Sequence, residues 1–122
     1  MKLRILGNSI RLRVGKSELE ELAGKGAVAD AIQFGPGQSL SYRIVADSAG
    51  RTAARFSASE ITVTVPGADV RSLAETDRVS IRGEQALAAG ASLSILVEKD
   101  FECLVPRPGE DPRDLYDNPA KR

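Results

Sequence analysis

The chain has 122 residues with 17 Lys and Arg against 17 Asp and Glu, so its formal charge is zero and no global field draws it to nucleic acid or membranes. It has no histidine and one cysteine, which excludes an internal disulfide and removes the side chain most used for acid–base work near neutral pH and for transition metals. Hydrophobic residues make up 42% but aromatics only 4%, so a single domain of this length must bury an aliphatic core.

Residues 2–6 and 9–14 alternate: Leu3, Ile5, Ile10, Leu12 and Val14 are apolar, with Lys2, Arg4, Arg11 and Arg13 between them. Period-two alternation predicts half-buried strands, and Gly7-Asn8 between them predicts a hairpin turn. Ser17 starts a short helix, with Glu20 three residues on to close a capping box, Leu19 and Leu22 as its apolar stripe, and Gly24 and Gly26 to end it. Val28 to Phe34 reads as a third strand, Gly35-Pro36-Gly37 as a turn and Leu40 to Val45 as a fourth strand. Ala46 to Arg51 is a linker. Strands then follow at Thr52 to Phe56 and Ile61 to Val65, around a turn at Ala58-Ser59. Pro66 opens a second short helix with Val70 and Leu73 on its buried side. Arg78 to Arg82 is a strand with Val79 and Ile81 inward, Gly83 to Gly90 a loop, and Leu93 to Val97 the closing strand.

The order strand–strand–helix–strand–strand thus occurs twice, and the letters agree. Ile10 to Val14 falls on Ile61 to Val65 at a shift of 51 residues, which also places Arg4 on Arg55, Leu22 on Leu73 and Ala23 on Ala74. Ser39-Leu40-Ser41 falls on Ser92-Leu93-Ser94 at a shift of 53, so an insertion lies between the helix and the last strand. A repeat of this length is one supersecondary unit used twice. One copy alone can hardly bury its apolar face, so both should share one core. The expected fold is α+β and mainly β. It is a small barrel-like domain over residues 1–104, from two tandem ββαββ repeats (1–47 and 51–100) about a pseudo-twofold axis. An extended tail follows over residues 105–122.

The opening Gly7-Asn8-Ser9-Ile10-Arg11-Leu12-Arg13-Val14 resembles swapped-hairpin proteins of the AbrB and MazE type. Ile61 to Val65, Pro66 and Asp77-Arg78-Val79-Ser80-Ile81 are similar to the same unit. The resemblance implies a fused pseudo-dimer, DNA contact through basic residues of the first hairpin, and a C-terminal tail that engages a protein. Over its whole length the chain also resembles a family of small uncharacterised bacterial proteins, through the same opening, Val97 to Leu104, and the run Pro106 to Asp111. That likeness implies a bacterial origin and no mechanism.

Several groups are candidates for binding. Lys2, Arg4, Arg11, Arg13 and, by the repeat, Arg55 form a basic set suited to phosphate contact. The second copy has Thr62 and Thr64 where the first has Arg11 and Arg13, so a symmetric DNA face is missing. From Pro106 on the chain is acidic and proline-rich, with Leu115 and Tyr116 as apolar anchors for docking on the domain or on a partner. Cys103 has no histidine to activate it and reads as structural. The carboxylates Glu110, Asp111, Asp114 and Asp117 lack the glycine and glutamate of a calcium loop and read as solvated tail. Asp30 with Glu84, or Glu98 with Asp100, are carboxylate pairs that no spacing singles out for acid–base work.

No catalytic, cofactor or metal constellation is visible. The expected function is a non-enzymatic binding module with a protein partner, the alternative a DNA-binding regulator of the swapped-hairpin type. A small-molecule-binding barrel ranks third and an enzyme last. With no long apolar run and one cysteine, the expected setting is the cytoplasm, without membrane contact, as a monomer or homodimer.

Overall fold

In a computed structural model of the protein, residues 1–48, 50–101 and 112–117 are described. Ten main elements follow one another: β1 (Lys2–Leu6), β2 (Ser9–Val14), α1 (Lys16–Lys25), β3 (Ala27–Gly35), β4 (Gln38–Asp47), β5 (Ala53–Ser57), β6 (Glu60–Pro66), α2 (Gly67–Glu75), β7 (Ser80–Ala86) and β8 (Ser92–Lys99). The architecture is mainly β. It has two four-stranded sheets, ordered β1-β2-β8-β7 and β3-β4-β6-β5.

Each sheet joins a hairpin from the first half of the chain to one from the second. In one sheet β2 lies parallel to β8, with Ser9 opposite Ser94; in the other β4 lies parallel to β6, with Ser41 opposite Glu60. The inner faces meet through Leu12, Val14, Ile81 and Val97 on one side and Ile44, Val63 and Val65 on the other, all buried. Leu19 and Leu22 of α1 and Val70 and Leu73 of α2 complete the same cluster. Each such side chain contributes roughly 1.5–3 kcal/mol by leaving water. Because β2 and β6 both run directly into helices, α1 and α2 close one end of the molecule. The strand tips lie at the other.

The structure corrects several sequence expectations. Among the described residues no backbone ladder closes the sheets into a barrel. Where the edges β5 and β7 approach, side chains intervene: the Ala54 N–H donates to Gln85 Oε1 at 2.7 Å. A Cβ on Gly83 would stand 2.7 Å from that of Thr52. Gly83 is therefore a strand residue that admits a neighbour, so β7 runs through it to Ala86 and the connection shrinks to residues 87–91. Val79 precedes β7 and is half exposed, leaving Ile81 as the buried residue of that stretch. α1 passes through left-handed Gly26 (φ 84°) straight into β3, whereas residues 76–79 separate α2 from β7.

The capping box also moves. The N-cap is Gly15, whose N–H donates to Glu18 Oε1 at 3.0 Å, so Ser17 lies inside the helix and Glu20 takes no part. Cys103, Glu110, Asp111 and the tail at 105–111 and 118–122 lie outside the described residues.

Candidate binding surfaces

The outer face of the β1-β2-β8-β7 sheet carries the basic set. Register aligns side chains into rows across the strands: Lys2, Arg13, Glu98 and Ser80 form one, and Arg4, Arg11, Leu96 and Arg82 the next. Leu96 is only 8% exposed although it points outward. Long arginine stems from the flanking strands are well suited to cover it. A shallow concavity of about 420 Å³ lies here, lined in part by Arg11, Arg82, Glu84, Ser94 and Leu96.

The cations are not equally engaged. Arg13 Nε lies 2.8 Å from Glu98 Oε1 and Arg11 Nε 3.6 Å from the same oxygen, while Lys2 Nζ lies 2.7 Å from Asp100 Oδ2. Arg4 and Arg82 make no ion pair among the described residues. Like charges directly opposite, as in Arg4 against Arg11, cost free energy, and Glu98 offsets that cost in the adjoining row.

Two differences from the sequence reading stand out. Arg55 is separated from this set, because β5 belongs to the other sheet, where it lies opposite Thr62. Arg82, which is not among the sequence-predicted site residues, joins the set. The alternation Ser80-Arg82-Glu84 marks it as outward, but only the pairing of β8 beside β2 brings it near Arg11. The carboxylate candidates are occupied separately: Glu98 by Arg13, Asp100 by Lys2, and Glu84 by the Ser94 hydroxyl at 2.6 Å.

The strand-tip end is apolar. Ile5, Leu6, Ile32, Phe34, Phe56 and Leu87 are exposed there, with Phe34 and Phe56 each 69% accessible. Large exposed apolar side chains mark a candidate contact surface where they adjoin, as Ile5 and Phe56 do in one groove. Between the two sheets the tips leave a groove of about 250 Å³, lined by Ile5, Ile10, Ala54, Phe56, Ile61 and Leu93, with Arg55 also lining it. Arg55 makes no ion pair among the described residues.

The third surface lies at the helix end and is occupied by the chain itself. Residues 112–117 return to the start of α1. Asp114 Oδ1 accepts the Ser17 N–H at 3.0 Å and Oδ2 accepts the Ser17 hydroxyl at 2.9 Å. The Tyr116 N–H donates to the Asp100 carbonyl at 2.9 Å. Its ring meets Phe101 edge-on at 5.8 Å, with the Lys99 and Lys16 ammonium groups 5.0 and 5.8 Å from its centroid. Burial, reinforced by the charges of Glu20 and Asp114, raises the Tyr116 phenol above its ordinary pKa of 10.0. Burial raises Tyr42 likewise, with Asp30 and Glu18 adding to the effect. The sequence-predicted anchors Leu115 and Tyr116 thus both lie against their own domain, Leu115 only 9% exposed.

Among the described residues no group of three or more His, Cys, Asp or Glu side chains could hold a metal ion. Nor is any of their helices long and apolar enough to cross a membrane. Residues 1–120 match the family described as Family of unknown function (DUF7009), and the chain belongs to it. No curated protein and no solved structure matches the chain.

Proposed function

We propose that this family member is a non-enzymatic binding module that engages a protein partner through the apolar end of its two sheets. The groove bounded by Ile5, Phe56, Ile61 and Leu93 is the observation that carries this reading. Its occupant is a protein segment that presents apolar side chains beside a carboxylate. The apolar lining selects the first, and Arg55, which stands beside Thr62 on the outer face at the rim of the groove and makes no ion pair among the described residues, complements the second where the segment leaves the groove.

The scaffold in this reading is a duplicated ββαββ unit with exchanged hairpins, similar to one AbrB/MazE-type dimer fused into a single chain. Two correspondences support it. A shift of 51 carries β1 (Lys2–Leu6) onto residues 53–57, the span of β5, and the partners Ser9 with Ser94 and Glu60 with Ser41 are equivalent under shifts of 51 and 53. The protein is then a bacterial, cytoplasmic one that acts without a cofactor.

The test is a titration of the isotope-labelled full chain with short peptides alternating Leu or Ile with Asp or Glu. Resonance shifts are expected at Ile5, Ala54, Phe56, Ile61 and Leu93, weakened in Arg55→Ala and lost in Phe56→Ser. Shifts confined to other surfaces, or unchanged binding by Phe56→Ser, defeat the reading.

One observation favours a second reading, DNA binding. The sheet places Arg82 in the same row as Arg4 and Arg11, with Lys2 and Arg13 beside them, so five cations from both halves of the chain share one face, interrupted by Glu98. Phosphate contacts would then dominate and weaken steeply with salt. A low-salt mobility shift of duplex DNA, lost in Arg11→Ala with Arg82→Ala, is the expected result. The absence of any shift at low salt rejects it.

A further inference from the structure

The seat of the tail is built from two stretches of the domain. Gly15, Lys16 and Ser17 come from the start of α1; Lys99, Asp100 and Phe101 come from the end of β8. Both stretches are fixed by the core: Val14 is fully buried, the Asp100 N–H donates to the Val14 carbonyl at 2.9 Å, and Lys99 and Asp100 are themselves buried. Lys99 Nζ is further held by the Thr76 carbonyl at 3.0 Å, so the cation beside the aromatic slot is pre-positioned.

What fills the seat is specified group by group. The Ser17 N–H and hydroxyl together demand a two-oxygen acceptor, which Asp114 supplies. Gly15 makes close approach a condition, since a Cβ there would lie 2.8 Å from the Asp114 carbonyl oxygen and 2.9 Å from its carboxylate. The edge of Phe101 and the ammonium groups of Lys99 and Lys16 demand an aromatic ring. The Asp100 carbonyl demands a backbone N–H on the residue that carries that ring. An acid at the end of a short 3-10 turn and a tyrosine two positions on, in place of the extended tail that the sequence predicts, meet all four conditions.

We propose that this seat is a binding site for peptide segments of the form Asp-x-Tyr, and that the chain's own Asp114-Leu115-Tyr116 occupies it as an intramolecular ligand. The site is distinct from the apolar groove, which lies at the opposite end of the strands. A tethered ligand acts at an effective concentration on the order of millimolar. A competing segment therefore gains access only when the tail is weakened or when the competitor is abundant. The tail in this role is a guard, and whatever loosens it opens a site that reads the same motif on another protein.

The experiment uses the full chain and a fluorescein-labelled peptide copying residues 112–117. The wild type should bind it weakly. The variant carrying Asp114→Ala and Tyr116→Ala should bind it at least tenfold more tightly, and adding Gly15→Val to that variant should return binding to the background. Peptides with the acid or the tyrosine replaced by alanine should not bind. Tyr116→Ala alone, which leaves the Asp114 cap in place, should give an intermediate gain. Retained amide dispersion establishes that each variant is folded. In the wild type, unlabelled peptide at millimolar concentration should shift the ring resonances of Tyr116 toward those of a solvated tyrosine. Failure of the folded double variant to bind, equal binding by the Gly15→Val form, or a Tyr116 ring unmoved by excess peptide overturns the proposal.

Discussion

The chain enters its two helices in different ways. At α1 it enters through Gly15, which has no side chain to cap the helix, and the first turn is satisfied from elsewhere: Glu18 receives the Gly15 N–H, and Asp114, 97 residues away, receives the Ser17 N–H. At α2 it enters through Pro66, which has no N–H to satisfy, and Ala68 stands where Ser17 stands in the first half. Asp69, the counterpart of Glu18, turns instead to Arg78 at 2.9 Å. A Cβ on Gly67 would meet nothing closer than the Arg71 guanidinium at 3.6 Å. The start of α1 thus receives a distant segment, whereas the start of α2 shows no side-chain cap among the described residues. Small local choices, Gly-Lys-Ser against Pro-Gly-Ala, decide which helix end becomes a seat.

The core does not share this asymmetry, and the largest expected effects test that. Leu22 of α1 and Leu73 of α2 are both fully buried in one cluster. Leu22→Ala and Leu73→Ala should each cost about 2–5 kcal/mol, since each removes buried methyl groups and leaves a cavity. Their denaturant midpoints should fall by similar amounts at an unchanged slope. If one substitution leaves stability nearly untouched while the other unfolds the chain, the halves are not equivalent inside and the comparison fails.

The smaller, asymmetric term belongs to the tail. Asp114→Ala removes the acceptor of the Ser17 N–H and should lower stability by about 1 kcal/mol, the usual worth of a helix cap, whereas Asp114→Asn should lose much less because asparagine caps comparably. At α2 no change to the tail should matter: amide exchange in the first turn of α1 should quicken in Asp114→Ala, and that of α2 should stay as it was. Equal acceleration at both helices would mean that the tail stabilises the fold generally and does not cap one end.

How far the sequence reveals this depends on distance along the chain. The hairpins are legible because their signals are local: alternation sets the faces, and Gly7 adopts the left-handed conformation its type allows (φ 55°). Ala58 and Ser59 adopt it too, at φ 51° and 61°, although neither residue type favours it. Gly83 misleads, since a glycine amid small residues reads as a chain breaker until Thr52 is seen pressed against it. Arg82 beside Arg11, and Ser17 beneath Asp114, are invisible for a different reason. Both depend on which strands become neighbours and where a distant segment returns, and no local pattern encodes either. The acid and tyrosine of the tail can be picked out by type, but their partners cannot.

The finest probe of the comparison is the titration of the two tyrosines in the chain, Tyr42 and Tyr116. Burial, with Glu20 and Asp114 nearby, raises the folded-state pKa of Tyr116 above 10.0, while the ammonium groups of Lys99 and Lys16 face its ring. A phenol with a raised pKa holds its proton more firmly when docked. Its contribution is therefore complete below about pH 10 and is lost as pH rises through the raised value. Tyr42 is raised by burial as well, with Asp30 and Glu18 contributing, so the wild type should show both tyrosinate transitions above 10.0 in ultraviolet absorbance. Tyr116→Phe should leave one of them, unchanged in position, because Tyr42 lies on β4. Gly15→Val should bring the Tyr116 transition back toward 10.0 by driving Asp114 from its seat, and should leave the Tyr42 transition where it was. A Tyr116 that titrates at its ordinary value in the wild type would place the ring in water and remove the difference between the two helix ends. A Tyr42 that moves together with Tyr116 in Gly15→Val would show that the tail secures the whole fold and not α1 alone.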